Sequence, residues 1–298
     1  MTVPRIDGHT RVIAHLGHPT HSFKAPLIYN PWFAASGTNA VVVPIDCPAG
    51  ALDSLLPPLM AAPNVLGALI TMPHKVGVVA LLDEVSRTAR VAGACNAVKR
   101  AADGRLIGDL FDGEGFVRGV QRKGLVLKGA SALVVGSGGV GSAIAASLAA
   151  AGVAHLALFD TNGTASETLS QRLRAAYPLL QISTGKSDPA GLDLVVNATP
   201  LGMAPGDPLP LDVDRLDART FVGEVVMRER VTAFLSAAQA RGCRVQVGTD
   251  MLFEQIPAYL EFFGLPVATP ERLRELAALD GPPAAPRASP PPRASGAR

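Results

Sequence analysis

Short apolar runs alternate along this chain with longer segments in which apolar and polar residues are mixed. Apolar runs bounded by glycine, proline or charged residues are typical of buried strands, and the mixed segments are typical of helices. In the first part of the chain, this pattern predicts strands at 11–17, 40–46 and 65–71 and helices at 26–36, 51–62 and 75–93, the last one ending at Gly93.

A second series of the same kind starts at residue 131. Strands that alternate with helices imply parallel sheets covered on both faces, so the sequence predicts an α/β fold with two domains. The first domain, 1–115, would bind the substrate and be completed by helices within 249–280. The second, 116–248, would be a Rossmann-type dinucleotide-binding domain. The second series is expected to hold strands at 131–136, 155–160, 192–200 and 244–248 and helices at 139–152, 165–177 and 250–264.

The composition narrows the choice of partners. The chain has 298 residues, of which 48% are hydrophobic and 17% charged, and this is ample material for two buried cores. Its net charge of +2 is not concentrated in a basic stripe with interleaved aromatic residues, so no nucleic-acid partner is expected. Neither a signal peptide nor a membrane span is predicted. We expect a monomer or homodimer that binds a small-molecule substrate.

Two features bear on the cellular setting and on the end of the chain. Cys47, Cys95 and Cys243 have no paired spacing, which is typical of reduced thiols in a cytoplasmic protein. The segment 281–298 holds six prolines, three arginines and no acidic residue. Because it cannot bury enough apolar surface to offset its ordering entropy, it is predicted to be a disordered tail.

A glycine-rich turn follows the strand predicted at 131–136. Gly136, Gly138 and Gly141 have the spacing G-x-G-x-x-G between a buried strand and a helix. In this context the first glycine allows the tight turn, the second lets a pyrophosphate approach the backbone, and the third lets helix and strand pack closely. Unpaired N–H groups at the helix N-terminus then face the phosphates, so the sequence predicts a dinucleotide cofactor.

Asp160 ends the next predicted strand, 19 residues after Gly141. An acid at this place accepts hydrogen bonds from the ribose hydroxyls of NAD and repels the extra phosphate of NADP. The following residues, 161–167, include no basic side chain that could pair with that phosphate. NAD is therefore the expected cofactor, in preference to NADP.

Seven segments between about residues 10 and 265 form an ordered set of motifs: GHPTHSFKAP (17–26), GALITMPHK (67–75), AGACNAV (92–98), GDLFDGEGF (108–116), GSGGVG (136–141), VVNATPLGM (195–203) and GTDMLFEQ (248–255). In this order and spacing they resemble the shikimate/quinate dehydrogenase family. The resemblance implies a dinucleotide-dependent oxidoreductase that acts on the CH–OH group of a ring alcohol.

The resemblance also implies roles for individual residues. Lys75, from the T-x-P-x-K segment, and Asp112, from the G-D-x-x-D-G-x-G turn, would form a catalytic dyad that moves the hydroxyl proton. Thr71, Asn96 and Gln255 match positions that bind substrate. The cofactor-binding residues are expected to be Gly136, Ser137, Gly138, Gly139, Val140, Gly141, Asp160, Asn197, Ala198, Thr199, Met227 and Gly248.

The chain departs from the family in the residues that would grip a polar substrate. The family usually reads S-x-S-P in the first loop, where two hydroxyls hold the substrate carboxylate, and these positions are Phe23 and Ala25 here. A polar family position before the threonine is Leu69, and a tyrosine expected near the nicotinamide falls at Met227. A site without these hydrogen-bond donors binds a substrate carboxylate less strongly.

Two interpretations of this departure stay open at the level of sequence. Lys24, His18 or His21 could hold the carboxylate instead, or the substrate is less polar or lacks the carboxylate. A metal site at His15, His18 and His21 is not expected, because these residues span a strand end and a loop and no acid or cysteine joins them nearby.

The sequence as a whole therefore predicts an NAD-dependent dehydrogenase that acts on a quinate- or shikimate-like hydroxylated cyclic acid. One alternative is a dehydrogenase of the same family with a different, less polar alcohol substrate. Another is a dinucleotide-binding regulatory protein without activity. The retained Lys75 and Asp112 favour an enzyme, because an idle site has no need of a buried charge pair.

Overall fold

Two six-stranded sheets form the framework of the protein, one in each half of the chain. The structure is a computed structural model that describes residues 5–227 and 231–279. The predicted disordered tail at 281–298 lies outside the described residues. The α/β fold with two domains that the sequence predicted is confirmed.

The first sheet has the strand order β2-β1-β3-β5-β6-β4. Strand β1 pairs in parallel with both β2 and β3, whereas β5 runs antiparallel to β3 and to β6. The sheet is therefore mixed, and its parallel half carries the strand ends that face the cleft described below. Its elements are β1 (Arg11–Gly17), α1 (Ala25–Ser36), β2 (Ala40–Asp46), α2 (Leu52–Ala61), β3 (Val65–Ile70), β4 (Glu84–Val85), α3 (Arg87–Ala92), β5 (Ala97–Arg100) and β6 (Leu106–Asp109).

The segment 75–93, predicted as one helix, is broken into three pieces, so that prediction is wrong. A short 3-10 helix at Gly77–Leu81 is followed by β4 and then by α3. The break arises because β4 pairs with β6, a contact between distant parts of the chain. The side chain of Ser86 then starts α3 by accepting a hydrogen bond from Ala89 N.

The second sheet is built from parallel strands only, in the order β12-β11-β10-β7-β8-β9. Helix α4 (Asp112–Arg122) connects the two sheets. Helices alternate with the strands, as expected for a Rossmann-type arrangement. The elements are β7 (Ser131–Val135), α5 (Gly139–Ala150), β8 (His155–Phe159), α6 (Gly163–Ala176), β9 (Gln181–Thr184), β10 (Leu194–Asn197), β11 (Phe221–Glu224), α7 (Ala233–Ala240) and β12 (Arg244–Gln246).

The half of the protein built on the first sheet is called the first lobe, and the half built on the second sheet is called the second lobe. The last two helices, α8 (Gly248–Phe262) and α9 (Pro270–Leu276), return to the first lobe. Their apolar side chains join those of α1, β1 and β2 in one buried cluster. Helix α4 also packs on α8, because Gly115 has no side chain: a Cβ there would lie 2.6 Å from Met251 O. This packing brings α8 to the carboxyl ends of the strands of the first sheet.

Within residues 5–227 and 231–279, no helix combines the length and the apolar character that a membrane crossing needs.

Candidate active site

A cleft with a volume of about 360 Å³ lies at the carboxyl ends of β1 and β3, between α1 and α8. Ligands of open α/β sheets bind at the carboxyl ends of strands, so this is the expected place for a substrate. Residues from both halves of the chain line it. They are His15, His18, Pro19, Ser22, Phe23, Lys24, Ala25, Ile28, Tyr29, Leu69, Ile70, Thr71, Met72, Lys75, Asp112, Met227, Leu252, Gln255, Ile256 and Tyr259.

Lys75 and Asp112 form an ion pair in this cleft, between Lys75 Nζ and Asp112 Oδ2. Their side chains are 23% and 9% exposed, so both charges are largely withdrawn from water. A buried charge is tolerated when it is paired, and removing one partner leaves the other uncompensated. Asp112 is also the first residue of α4, where the helix dipole favours a carboxylate.

The backbone around the pair is held by two specific contacts. Asn96 Oδ1 accepts a hydrogen bond of 2.9 Å from Phe111 N, the residue before Asp112. Gly113 has no side chain, and a Cβ there would overlap the carbonyl oxygen of Ala143 on α5. The start of α4 is thereby fixed against both the first sheet and α5, which positions the carboxylate of Asp112.

The predicted substrate residues do not all line the cleft. Thr71 and Gln255 do, and the side-chain oxygen Oε1 of Gln255 is buried without a partner among the described residues. Asn96 is only 1% exposed and is not among the lining residues. Its Nδ2 is buried without a partner in the described part of the chain. Asn96 therefore supports the turn before Asp112, and its direct contact with substrate stays a prediction.

The first loop places three further predicted residues at the cleft. Phe23 and Ala25 line it, as expected for the positions that lack the family hydroxyls. Lys24 lies beside them but is exposed, and His18 is engaged by Asp46, with 2.8 Å between His18 Nδ1 and Asp46 Oδ1. His21 is exposed and is not a lining residue.

His15 is a cleft residue that sequence reasoning considered only as a metal ligand. Its ring stacks on Phe23 with 4.0 Å between the ring centroids and 28° between the planes. Burial, and to a lesser degree the charge of Lys75, lowers the pKa of His15 to about 4, so the imidazole is neutral near pH 7. Its place at the end of an apolar strand was the available signal. Among residues 5–227 and 231–279, no group of histidine, cysteine and acidic side chains has the arrangement of a metal site.

The glycine-rich turn between β7 and α5 has the features that a dinucleotide requires. Gly136 has φ +102°, a conformation that only glycine adopts without strain. A Cβ at Gly141 would overlap Gly136 O, whereas one at Gly138 or Gly139 would meet nothing within 4 Å. The turn is thus tight where helix and strand pack and open where a pyrophosphate would approach. Ser137 and Val140 lie in the same turn, and Ser137 Oγ is buried without a described partner.

The remaining predicted cofactor residues lie at the ends of later strands. Asn197 Oδ1 accepts hydrogen bonds from Thr199 N at 3.1 Å and Thr199 Oγ1 at 2.7 Å, which closes the turn through Ala198. Gly248 begins α8, and a Cβ there would overlap Val226 O. Met227 lines the cleft. Asn197, Ala198, Thr199 and Gly248 shape the backbone at these strand ends. Any contact of these residues with a cofactor stays a prediction.

Asp160 uses both carboxylate oxygens within the protein. Oδ2 accepts a hydrogen bond of 2.6 Å from Ser137 N, and Oδ1 accepts one of 2.8 Å from Asn162 N. The side chain therefore ties the glycine-rich turn to the start of α6. Asp160 thus has a structural role in this turn, and each of its oxygens keeps a further acceptor site.

Comparisons with known proteins agree with this geometry. Residues 16–98 match the family model described as the shikimate dehydrogenase substrate binding domain, and residues 117–173 match the ThiF family model. A shikimate dehydrogenase (NADP(+)) of Rubrobacter xylanophilus is 38% identical, and the match covers 86% of this chain and 91% of that protein. One of Symbiobacterium thermophilum is 36% identical, with 93% and 97% covered.

Among solved structures, shikimate 5-dehydrogenase from Listeria monocytogenes in complex with shikimate and NAD has a TM-score of 0.86 at 25% identity. The match covers 92% of this chain and 99% of that chain. Fold, cleft and relatives together define an oxidoreductase that acts on a CH–OH group. More narrowly, the chain belongs to the shikimate dehydrogenase family, which confirms the predicted resemblance.

The predicted preference for NAD over NADP is wrong. The curated relatives, which are closer in sequence than the solved structure just described, are named for NADP(+). Two assumptions led to the error: that Asp160 is free to meet the ribose, and that only a basic side chain could hold a 2′-phosphate. The first left out the structural role of Asp160, whose two oxygens each accept a hydrogen bond from a backbone N–H group.

Proposed function

We propose that this protein catalyses the NADP-dependent, reversible oxidation of a ring hydroxyl on a shikimate- or quinate-like cyclic alcohol. The observation that carries the proposal is the ion pair of Lys75 and Asp112 inside the cleft at the carboxyl ends of β1 and β3. A largely buried charge pair in a substrate-sized cleft is a functional candidate on physical grounds.

Lys75 is the group that moves the proton. Oxidation of a secondary alcohol removes a hydride from carbon and a proton from oxygen, and bound NADP⁺ supplies the hydride acceptor. For the oxidation, the ammonium of Lys75 first gives up one proton to water at the open side of the cleft. The neutral Nζ then takes the hydroxyl proton, and the carboxylate of Asp112 stabilises the ammonium that forms again. In the reverse direction Lys75 returns the proton to the alkoxide oxygen as it forms.

Thr71 and Gln255 orient the ring. Both line the cleft, from the end of β3 and from α8 respectively. The unpartnered Oε1 of Gln255 is an acceptor that a substrate hydroxyl would satisfy, which supports its role. Holding the ring from two sides keeps one hydroxyl in reach of Lys75, and such orientation supplies much of an enzyme's rate acceleration.

The glycine-rich turn and two helix N-termini would hold NADP. The open backbone at Gly138 and Gly139, in front of α5, fits the pyrophosphate. No side chain caps the first turn of α6, and the N–H groups of Gly163 and Thr164 would hold the 2′-phosphate against the charge of the nearby Asp160 carboxylate. This replaces the basic side chain that the sequence lacks at 161–167.

The test of the dyad is Lys75→Ala. We expect kcat to fall by roughly 10²–10⁴-fold, because the proton acceptor is lost, while the Kd for NADPH stays within experimental error. Steady-state assays with quinate, shikimate and related cyclic alcohols measure kcat, and fluorescence titration measures the Kd for NADPH. Lys186→Ala, on an exposed lysine of the other lobe, is the matched control.

Unchanged turnover in Lys75→Ala would remove Lys75 from the mechanism. Binding of NADPH without turnover of any cyclic alcohol by the wild type would instead favour a regulatory protein. The same assays run with NAD⁺ and NADP⁺ test the cofactor, and a higher kcat/KM with NADP⁺ is expected.

The cellular setting is a further part of the proposal. All three cysteines are free and buried, which is consistent with a reducing compartment such as the cytoplasm. The prediction of a monomer or homodimer stands unchanged, and size-exclusion chromatography with light scattering measures it.

A further inference from the structure

The cleft has a distinctive wall opposite α8, formed by Phe23, Ala25 and the ring of His15. The ring of Phe23 is held between the stacked imidazole of His15 and the end of β1, where a Cβ on Gly17 would lie 2.9 Å from Phe23 Cζ. Leu69, only 4% exposed, lines the same cleft. The side chains of this wall are therefore aromatic or apolar and carry no hydroxyl group, while the hydroxyl-bearing residues Ser22 and Thr71 line other parts of the same cleft.

The imidazole in this wall is polar but uncharged. His15 Nδ1 is buried and has no hydrogen-bond partner among the described residues. Burial lowers the pKa of His15 to about 4, so a neutral ring with one N–H donor and one acceptor nitrogen lines the cleft. A buried polar atom without a partner costs free energy, and a ligand group that can hydrogen-bond removes that cost.

The cations that line the cleft are either paired with a carboxylate or exposed to water. Lys75 is paired with Asp112, and His18 with Asp46 at the exposed mouth. Lys24 has no ion-pair partner in the described chain, but it is exposed, so water screens its charge. A carboxylate pressed against the wall would lose its hydration without gaining a buried cation, which is unfavourable.

We propose that the substituent of the substrate ring that meets the His15–Phe23 wall is uncharged, so that the preferred substrate is a neutral cyclic polyol or its ketone rather than a carboxylic acid. The inference rests on the proposed function, because it concerns the same cleft and the same reaction. A hydroxymethyl or carboxamide group both donates and accepts hydrogen bonds, and it therefore fits the neutral imidazole of His15.

The test compares substrates that differ only in this substituent. Quinate and shikimate are assayed beside analogues in which a hydroxymethyl or carboxamide group replaces the carboxylate, all with NADP⁺ at one pH and ionic strength. We expect kcat/KM to favour the uncharged analogues by about tenfold or more, since a site without partners for a charge rejects it. A preference for the carboxylates would overturn the inference and leave the proposed function standing.

Two variants test whether the His15–Phe23 wall sets the preference for uncharged substrates over carboxylates. In Phe23→Ser/Ala25→Ser, two hydroxyls return to the loop, and the preference is expected to shift towards the carboxylates. Ala25→Ser alone, a one-oxygen change, is the milder variant in case the double substitution impairs folding. A preference that stays the same in both would mean that the wall does not set it.

Lys24→Ala distinguishes the competing explanation. If Lys24 held a carboxylate, this variant would lose kcat/KM for quinate and shikimate selectively, and that loss would contradict the inference. We expect the ratio between charged and uncharged substrates to stay as in the wild type. Absence of turnover with every substrate, charged or neutral, would instead defeat the proposed function itself.

Discussion

His15 and Glu224 are ionisable residues in the carboxyl-terminal halves of strands β1 and β11, one in each lobe; Glu224 is buried and His15 is partly buried. Burial shifts their protonation in a way that makes both neutral at mildly acidic pH. The pKa of His15 is lowered to about 4. Burial raises the pKa of Glu224 to about 7, although Thr232 Oγ1 donates to its Oε2 at 2.8 Å. Their effects on stability therefore oppose each other between these pH values.

His15 contributes stability that is lost as the pH falls. Between its ordinary pKa of 6.5 and its folded-state pKa of about 4, the unfolded chain binds a proton that the folded chain does not. The loss amounts to about 3 kcal/mol at about 1.4 kcal/mol per pKa unit. We expect the unfolding free energy of the wild type, relative to His15→Leu, to drop by that amount from pH 6.5 to 4. Urea denaturation across this range measures it, and parallel curves would contradict the burial of a neutral imidazole.

The contribution of Glu224 to the unfolding free energy changes with pH in the opposite direction. Its folded-state pKa of about 7 exceeds its ordinary value of 4.5, so its contribution is present below pH 4.5 and is lost as the pH rises through 7. Glu224→Gln keeps an acceptor for Thr232 and cannot ionise. We expect this variant to lose about 3 kcal/mol less stability than the wild type from pH 4.5 to 7. Glu275→Gln, on an exposed glutamate, is the control and should follow the wild-type curve.

At the scale of elements, the start of α4 carries the carboxylate of the Lys75–Asp112 ion pair and contacts α5 at Gly113. A Cβ at Gly113 would overlap the backbone of Ala143, which cannot move aside as a flexible side chain would. Gly113→Ala must therefore push α4 away from α5, and Asp112, the preceding residue, moves with it.

We expect Gly113→Ala to reduce the unfolding free energy by about 1–3 kcal/mol, as overpacking does, and to lower kcat as well. Gly163→Ala is the matched control, because a Cβ at this first position of α6 meets nothing within 4 Å. Thermal melts without cofactor compare the two variants. Equal melting temperatures would show that the contact between α4 and α5 tolerates a methyl group.

The sequence predicted those elements whose pattern is local. Strands β1, β2 and β3 and the turn before α5 lie where the apolar runs and the glycine spacing indicated. The prediction of one helix at 75–93 was wrong because the structure of this segment depends on the pairing of β4 with β6, which helical periodicity does not reveal. The antiparallel β5 was not foreseen for the same reason, since the alternation of strands and helices predicts parallel pairing.

In the candidate site, too, sequence motifs indicated individual residues but did not reveal the contacts between distant parts of the chain. Lys75 and Asp112 are 37 residues apart, and the motifs pointed to both. The hydrogen bonds of Asp160 could not be foreseen, because they depend on where the amides of Ser137 and Asn162 point. The stack of His15 on Phe23 joins a strand to a loop, and no spacing rule describes it.

At the scale of the whole molecule, the first lobe depends on the end of the described chain. The limits predicted for the domains, 1–115 with 249–280 and 116–248, remain a proposal, and α8 and α9 give it physical content. Each large apolar side chain that they bury contributes about 1.5–3 kcal/mol, and together these exceed a typical net stability of about 5–15 kcal/mol. The residues of this region in the buried cluster of the first lobe are Phe253, Ile256, Ala258, Tyr259, Leu260, Phe263, Leu265, Ala268 and Leu273.

We therefore expect a chain that ends at residue 247 to lose the cooperative unfolding of the first lobe, because its core is left open. A chain that ends at residue 279 keeps every residue of that cluster and should unfold as the full chain does. Circular dichroism melts and hydrogen exchange of residues 11–109 compare the three. A native-like first lobe in the shorter chain would show that α8 and α9 are dispensable for it.

The return of α8 to the first lobe has a consequence for synthesis on the ribosome. Helix α8 covers the core that β1 and α1 begin, and it supplies Gln255 to the cleft. The first lobe is translated first but lacks one side of its core until residues 248–276 have left the exit tunnel. The second lobe, built on the second sheet and continuous in sequence from β7 to β12, can fold before then. The first lobe is thus translated before the second lobe but reaches its final packing after it, and the cleft forms only at that point.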